Sequence, residues 1–157
     1  PQTTILFSGT IRENITYGLK NVTEEQLHQP LEAAQLTRLI ESLPDGLDTV
    51  IGENGSKLSG GQKQRISIAR AIIRDPKVII FDEAPSALDT ISEKEIQAAI
   101  NNMTRNRTTF IVAHRLSTIQ HADKIAVLRG GRCVEFGTYE QLMKLKGEFY
   151  KMKTLQS

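Results

Sequence analysis

Two adjacent carboxylates, Asp82 and Glu83, directly follow an apolar run at residues 78–81. Such a run predicts a strand of a parallel sheet that is buried on both faces. Open α/β sheets bind their ligands beyond the carboxyl ends of the strands, where these two side chains would lie. Since neighbouring carboxylates repel each other, a magnesium ion on Asp82 would leave Glu83 free to accept a proton from water. The alternative is an exposed acidic pair that merely ends a strand.

A histidine, His114, follows a second apolar run at residues 108–113, which is rich in β-branched residues. A single histidine after a strand is more often structural than catalytic. If the two predicted strands lie parallel in one sheet, however, their carboxyl ends share an edge and His114 lies near Glu83. It could then contact a phosphate group and hold a water molecule in line for attack.

A third candidate is the sequence Leu58-Ser59-Gly60-Gly61-Gln62, which opens a helix predicted to run to about Ile73. The two glycines let the backbone approach a ligand closely. The free N–H groups and the positive dipole end of the first helical turn favour an anion. The serine and the glutamine add side-chain donors. For so short a motif, a capped helix without a ligand is the alternative.

The surrounding patterns predict an α/β chain. Residues 8–55 are expected to be mainly helical, ahead of alternating strands and helices. Capping-box sequences predict helices at about 24–34, 93–103 and 139–146. The pair Gly130-Gly131 predicts a hairpin between strands at 124–128 and 133–136.

The composition excludes several classes of protein. The 157 residues include 20 basic and 18 acidic ones, a balance that gives no electrostatic argument for nucleic-acid binding. A single cysteine rules out an internal disulfide framework. No stretch approaches the roughly 20 apolar residues that a membrane helix needs.

Together these segments resemble the nucleotide-binding domain of an ATP-binding cassette (ABC) transporter. The resemblance covers nearly the whole chain, and the motifs occur in the family's order and at its spacings. The matching elements are a Q-loop glutamine (Gln2), the signature motif (58–62), a Walker B strand with its glutamate (78–83), a D-loop (Ser86 to Asp89) and a switch histidine (His114).

Two finer features resemble exporters, most closely the B-type group of multidrug exporters and mitochondrial half-transporters. Phe7 to Ile15 resembles the stretch after the exporter Q-loop, and Thr49 to Gly55 resembles the X-loop. The implied fold is α/β: a P-loop NTPase (RecA-like) core with a parallel sheet plus the ABC α-helical subdomain. We expect the helical subdomain at about 8–73 and the core at about 74–157.

The resemblance also implies a mechanism, in which two nucleotide-binding domains form a dimer around two ATP molecules. The signature residues act on the ATP of the partner domain, and the other motifs act on the ATP of their own domain. The implied ligands of the partner's nucleotide are Ser59, Gly60, Gly61 and Gln62. Asp82 and Gln2 are implied to bind Mg²⁺, and Glu83, His114 and Gln2 are implied to take part in catalysis. Asp89 and His114 are implied to bind the nucleotide, and Asp89 is also implied to couple the two sites.

One family motif does not occur: the 157 residues contain no G-x-x-x-x-G-K-[ST] Walker A sequence. Because the chain begins with Pro1, we interpret it as a C-terminal piece of a domain whose Walker A motif lies upstream. The fragment alone is then expected to bind ATP weakly and to hydrolyse none.

The expected partners are a second nucleotide-binding domain and transmembrane domains, the latter contacted through Gln2 and through Thr49 to Gly55. No nucleic-acid partner is expected. The domain would lie on the cytoplasmic or organelle-matrix side of a membrane. Two other functions stay open at this point: a soluble ABC ATPase that acts on nucleic acid or ribosomes, and a degenerate, non-catalytic nucleotide site.

Overall fold

A computed structural model of the chain describes residues 5–82, 90–113 and 119–155. They form two compact units, Pro1–Val112 and Ala113–Ser157. The boundary between the units falls inside the segment assigned above to the α/β core, and the division near residue 73 stays a prediction.

The first unit is mainly helical, with a small sheet towards its end. Its helices are α1 (Ile11–Ile15), α2 (Glu24–Ala33), α3 (Thr37–Ser42), α4 (Gly60–Ile72) and α5 (Thr90–Thr104), and its strands are β1 (Val78–Asp82) and β2 (Thr108–Val112). Two single 3-10 turns lie at Gly46–Asp48 and Glu53–Gly55. The second unit contains β3 (Ile125–Arg129), β4 (Arg132–Gly137), α6 (Tyr139–Leu145) and α7 (Glu148–Leu155).

Reciprocal capping boxes fix the first residue of four helices. In each, a serine or threonine side chain accepts from the backbone N–H three residues on, and the Glu or Gln at that position accepts from the cap's own N–H. The caps are Thr10, Thr23, Ser59 and Thr138. The predicted start of α5 after Ser92 is wrong. The described part of this helix starts at Thr90, so the chain is already helical before Ser92.

Helix α4 lies at the centre of the first unit, where it packs against α1, α2 and α5. Its buried side chains include Ile66, Ile68 and Ile72, which belong to one core with Ile96 and Ile100 of α5. Packing of this apolar face, rather than helix propensity alone, stabilises α4.

Strands β1 and β2 pair in parallel, with Val78 opposite Thr108 and Asp82 opposite Val112. This confirms the predicted parallel pairing. The prediction that β1 is buried on both faces is wrong, since Ile79 is only 5% exposed whereas Ile80 is 77% exposed. Among the described residues the helical core covers one face of this pair, so alternate side chains of each strand are exposed.

In the second unit, β3 and β4 form the antiparallel hairpin that the glycine pair predicted. Gly130 and Gly131 both have positive φ, 55° and 74°, the left-handed conformation that a tight hairpin turn needs and that glycine adopts without strain. One face of the hairpin packs under the two helices. The core of this unit is Ile125, Val127, Leu142 and Phe149.

The carboxylate of Glu135 in β4 caps the first turn of α7. Its Oε1 accepts from the backbone N–H of Glu148 at 2.5 Å, and its Oε2 accepts from that of Phe149 at 3.0 Å. The negative charge also complements the positive end of the helix dipole. A Cβ atom on Gly147 would overlap Oε1, so the Glu135 carboxylate would have to move away from this capping position.

We therefore expect Gly147→Ala to destabilise α7 by about 1–3 kcal/mol, the usual cost of leaving buried hydrogen-bonding groups unsatisfied. The amide protons of Glu148 and Phe149 should exchange faster with solvent, as measured by hydrogen-exchange NMR. Glu140→Ala, which changes an exposed carboxylate in the first turn of α6, is the matched control. Unchanged exchange at residues 148 and 149 in Gly147→Ala would contradict the capping role of Glu135.

Candidate functional site

The glycine pair of the signature motif forms the first turn of α4, directly after the cap residue Ser59. The Ser59 hydroxyl oxygen accepts from the N–H of Gln62 at 3.2 Å, and Gln62 Oε1 accepts from the N–H of Ser59 at 2.9 Å. The N–H groups of Gly60 and Gly61 have no acceptor within the helix, as in the first turn of any helix. They are the backbone donors that the motif offers to an anion.

The motif is accessible to solvent at the N-terminal end of α4. Ser59 and Gly60 are exposed, Gln62 is half-buried and Gly61 is buried. A ligand could therefore reach the end of the helix along its axis, where the N–H groups point. Helix α4 has 13 residues and so extends about 20 Å away from this end, at 1.5 Å per residue.

The predicted X-loop leads directly into the motif and pairs with the start of α1. The N–H of Ile11 donates to the carbonyl of Thr49 at 3.1 Å, and the N–H of Ile51 donates to the carbonyl of Gly9 at 3.0 Å. A 3-10 turn and a hydrogen bond from Leu58 N–H to the Gly55 carbonyl at 2.9 Å then bring the chain to Ser59. The loop before the motif is thus fixed by backbone hydrogen bonds.

A buried arginine, Arg65, connects α4 to two other elements. Its Nη1 donates to the Gln35 carbonyl in the α2–α3 turn at 2.5 Å, and its Nη2 lies 3.0 Å from Glu95 Oε2 on α5. Its Nε is buried without a hydrogen-bond partner. Burial lowers the pKa of Arg65, and the Glu95 carboxylate acts in the opposite direction.

The side chain of Arg65 is only 7% exposed, so burying its positive charge is costly. The carboxylate of Glu95 offsets part of this cost. We expect Glu95→Ala to destabilise the first unit by about 1–3 kcal/mol, below the usual cost of breaking a fully buried pair since Glu95 is itself partly exposed. In an Arg65→Met background the same change should cost far less, because no buried charge remains. Denaturant unfolding of the four proteins of this double-mutant cycle measures the difference.

Lys94→Ala, an exposed change one residue away on α5, serves as the control and should leave the unfolding midpoint within the range of ordinary surface substitutions. Equal costs of Glu95→Ala in the two backgrounds would contradict the pairing with Arg65.

Asp82 is the last residue of β1, where it is exposed and lies opposite Val112 of β2 in the parallel register. The carboxyl ends of the two strands therefore meet at one edge of the sheet, as predicted. Four of the predicted site residues lie outside the described residues: Gln2, Glu83, Asp89 and His114. The D-loop, residues 86–89, lies outside them as well.

Within residues 5–82, 90–113 and 119–155, no three His, Cys, Asp or Glu side chains converge to form a metal site. In the same part of the chain, no helix has the length and apolar character needed to cross a membrane.

Sequence reasoning missed Arg65, although a signal for it existed. The buried stripe of α4 contains Gly61, Ile68, Ala69 and Ile72, and Arg65 lies on the same stripe at the spacing of one helical turn. A charged residue on an apolar stripe indicates a buried pair, although the sequence does not indicate which acidic residue is the partner.

The family model for ABC transporters matches residues 1–86, which is more than half of the chain. The chain belongs to the ABC transporter family. Domains of this family bind ATP.

Over 155 residues the chain is 54% identical to an ATP-dependent lipid A-core flippase of Desulfotalea psychrophila, covering 99% of this chain and 27% of that protein. Over 154 residues it is 54% identical to the ABC multidrug transporter MDR2 of Trichophyton interdigitale, covering 97% of this chain and 12% of that protein. The chain thus spans about a quarter or less of the length of these relatives.

Among solved structures, a bacterial Atm1-family ABC exporter with ATP bound superposes with a TM-score of 0.89 at 41% identity. The superposition covers the whole of this chain and 27% of that one. The predicted family and the predicted α/β fold are therefore confirmed.

Proposed function

We propose that this chain is part of the ATP-binding and ATP-hydrolysing domain of an ABC exporter, which drives transmembrane export through an ATP-sandwich dimer. The observation that carries the proposal is the signature motif, which lies at the capped N-terminus of α4 with two glycine N–H groups directed at an accessible surface. The relatives are named as a flippase, a multidrug transporter and an exporter, and these names support the proposal of an exporter.

In this proposal the motif binds the γ-phosphate of the ATP held by the partner domain. The N–H groups of Gly60 and Gly61, together with Ser59 and Gln62, neutralise negative charge on the phosphate. Phosphoryl transfer needs such positioning and charge neutralisation more than it needs covalent chemistry. Fixed donors at a helix end provide both without reorganisation.

The domain's own ATP is proposed to bind at the edge of the sheet where Asp82 ends β1. An exposed carboxylate at this position suits Mg²⁺, which binds proteins through one or two carboxylates and keeps waters and phosphate oxygens as its other ligands. Gln2 would join Asp82 in binding the metal and would contribute to catalysis. When bound, the ion neutralises charge on the phosphates.

The catalytic steps are assigned to residues that follow the two strands in the sequence. Glu83 would accept a proton from the attacking water, and His114 would hold the γ-phosphate. Asp89 would bind the nucleotide at the dimer interface and couple the two ATP sites. The parallel register of β1 and β2 supports this arrangement, since the carboxyl ends of both strands lie at the same edge of the sheet.

The proposed partners are a second nucleotide-binding domain and transmembrane domains, in a protein associated with a membrane. The X-loop supports the second partner, because Val50 in it is 55% exposed although the neighbouring Ile51 is fully buried. The cytoplasmic or matrix side of the membrane is proposed for this domain. The near-neutral charge and the X-loop argue against the alternative of a soluble ABC ATPase acting on nucleic acid. The presence of Glu83 and His114 argues against a degenerate site.

Since the Walker A sequence does not occur in these 157 residues, we propose that without the rest of the domain they bind ATP only weakly and hydrolyse none. Tight, stoichiometric ATP binding by the 157-residue fragment in a titration would contradict this.

The capping box allows a test that separates folding from nucleotide binding. Gln62→Glu keeps a side-chain acceptor for the N–H of Ser59 and so should leave the unfolding midpoint unchanged or slightly raised. The added negative charge should nevertheless abolish ATP-dependent dimer formation, because it would face the γ-phosphate. Spin-label EPR distances between the two nucleotide-binding domains of the full-length protein, with and without Mg²⁺-ATP, measure this. Wild-type dimer formation in Gln62→Glu would count against a phosphate-binding role for the motif.

For Glu83, the matched change is Glu83→Gln, which removes the base and keeps the shape. We expect ATP turnover in the full-length protein to fall by about 10²–10⁴-fold, the usual contribution of a general base. ATP binding should persist and the closed dimer should accumulate. Turnover at the wild-type rate would exclude Glu83 as the base.

A further inference from the structure

Helix α4 carries a second arginine besides Arg65. This residue, Arg70, donates to three acceptors in the segment that follows Gln2. Its Nε donates to the Asn14 carbonyl at 2.7 Å, its Nη2 to Asn14 Oδ1 at 3.0 Å and its Nη1 to the Ile5 carbonyl at 3.1 Å. Fifty-six and sixty-five residues of sequence separate Arg70 from these acceptors. The contact is therefore purely tertiary and connects α4 to residues 5–14.

The side chain of Asn14 extends this connection to the rest of the segment. Asn14 is 1% exposed, and all of its hydrogen-bonding capacity is used. Its Oδ1 also accepts from the N–H of Phe7 at 2.8 Å, and its Nδ2 donates to the carbonyls of Phe7 and Thr10, both at 2.9 Å. Arg70 and Asn14 thus fix the backbone at residues 5, 7, 10 and 14.

The same two residues position Phe7, which stacks on Tyr17 in an exposed aromatic pair. The rings of Phe7 and Tyr17 stack with their centroids 4.3 Å apart, and the Arg70 guanidinium lies 5.3 Å from the centroid of Phe7. Phe7 is 41% exposed and Tyr17 54% exposed. One face of this pair is therefore accessible while its base is fixed to α4 through Arg70.

We propose that Arg70 is a positioning residue that couples the signature helix to residues 5–17, so that a shift of α4 on nucleotide binding moves the Phe7–Tyr17 surface and the chain after Gln2 with it. The inference rests on the proposed function, since it requires that the start of α4 binds nucleotide. Arg70 touches no nucleotide in this scheme. It acts through α4, whose N-terminal end carries the motif and whose C-terminal half carries Arg70.

The chemistry of the contact requires arginine in particular. A guanidinium presents its donors in one rigid plane, so it can bind a carbonyl and an amide oxygen of one residue together with a second carbonyl. A lysine ammonium is a point charge on a flexible stem and does not fix this relative orientation. The coupling should therefore depend on the planar fork and not only on the positive charge.

Amide hydrogen exchange of the full-length protein, followed by mass spectrometry, tests the proposal. The probe is Mg²⁺ with the non-hydrolysable β,γ-imido analogue of ATP. Two groups of peptides are compared, those covering residues 58–64 and those covering residues 5–17. In the wild type we expect the analogue to slow exchange in both groups.

In Arg70→Gln, the slowing at residues 58–64 should persist and the slowing at residues 5–17 should fall sharply, although Arg74 still donates to the Tyr17 carbonyl. In Arg70→Lys, which keeps the charge, the slowing at residues 5–17 should be reduced. Arg107→Gln is the matched control, because Arg107 also donates to a carbonyl and a carboxylate, those of Met103 and Asp75, but does not contact residues 5–17. Both groups should respond normally in the control.

A wild-type response at residues 5–17 in Arg70→Gln would overturn the proposal, and so would a full response in Arg70→Lys. If Arg70→Gln fails to fold, Arg70→Lys decides alone. Absence of any response at residues 58–64 in the wild type would instead contradict the proposed function, so the two failures are distinguishable.

Discussion

Desolvated guanidinium groups that donate to backbone carbonyls hold helix α4 in place, and the candidate site depends on them. Arg65 reaches the carbonyl of Gln35, and Arg70 reaches those of Ile5 and Asn14. The carbonyls of Ile5 and Gln35 lie outside helices, and that of Asn14 lies in the last turn of α1, where a carbonyl has no partner within the helix. Because an unpaired charge away from water is costly, both arginines favour the packing of these segments against α4.

Apolar packing alone would leave α4 with some freedom to rotate or slide, since hydrophobic contacts are not directional. The two arginines remove that freedom, because hydrogen bonds weaken steeply with changes of angle and length. The start of α4 is further fixed by its capping box and by the X-loop that leads into it. A site that binds phosphate needs this precision, because its donors must be in place before the ligand arrives.

Local features of this fold could be predicted from the sequence, and features that depend on distant residues could not. The cap residues Thr23, Ser59 and Thr138 predicted the starts of three helices, because a cap depends only on residues close in sequence, whereas the capping-box sequence at Ser92 did not mark the start of α5. Gly130 and Gly131 gave the hairpin for the same reason. The pairing partners of Arg65 and Arg70 lie about thirty or more residues away, and no local pattern indicates them.

The burial of β1 is a second feature that could not be predicted from local sequence. The apolar run at 78–81 correctly predicts a strand, but hydrophobicity does not indicate which of its faces a neighbouring layer covers. Ile79 packs into the helical core while Ile80 is exposed. Of the candidate site, the sequence located the signature motif and Asp82 at an accessible helix end and a strand end. It did not reveal the network around Asn14, although the capping-box pattern from Thr10 to Glu13 marks the helix that carries it.

The reciprocal bonds between Ser59 and Gln62 leave the donors of both side chains available. The bonds use the hydroxyl oxygen of Ser59 and Oε1 of Gln62, and both of these atoms act as acceptors. The hydroxyl hydrogen of Ser59 and the hydrogens on Gln62 Nε2 can therefore face a phosphate while the helix stays capped. A ligand at this end of α4 thus needs no rearrangement of the cap, and the same two side chains serve the fold and the site at once.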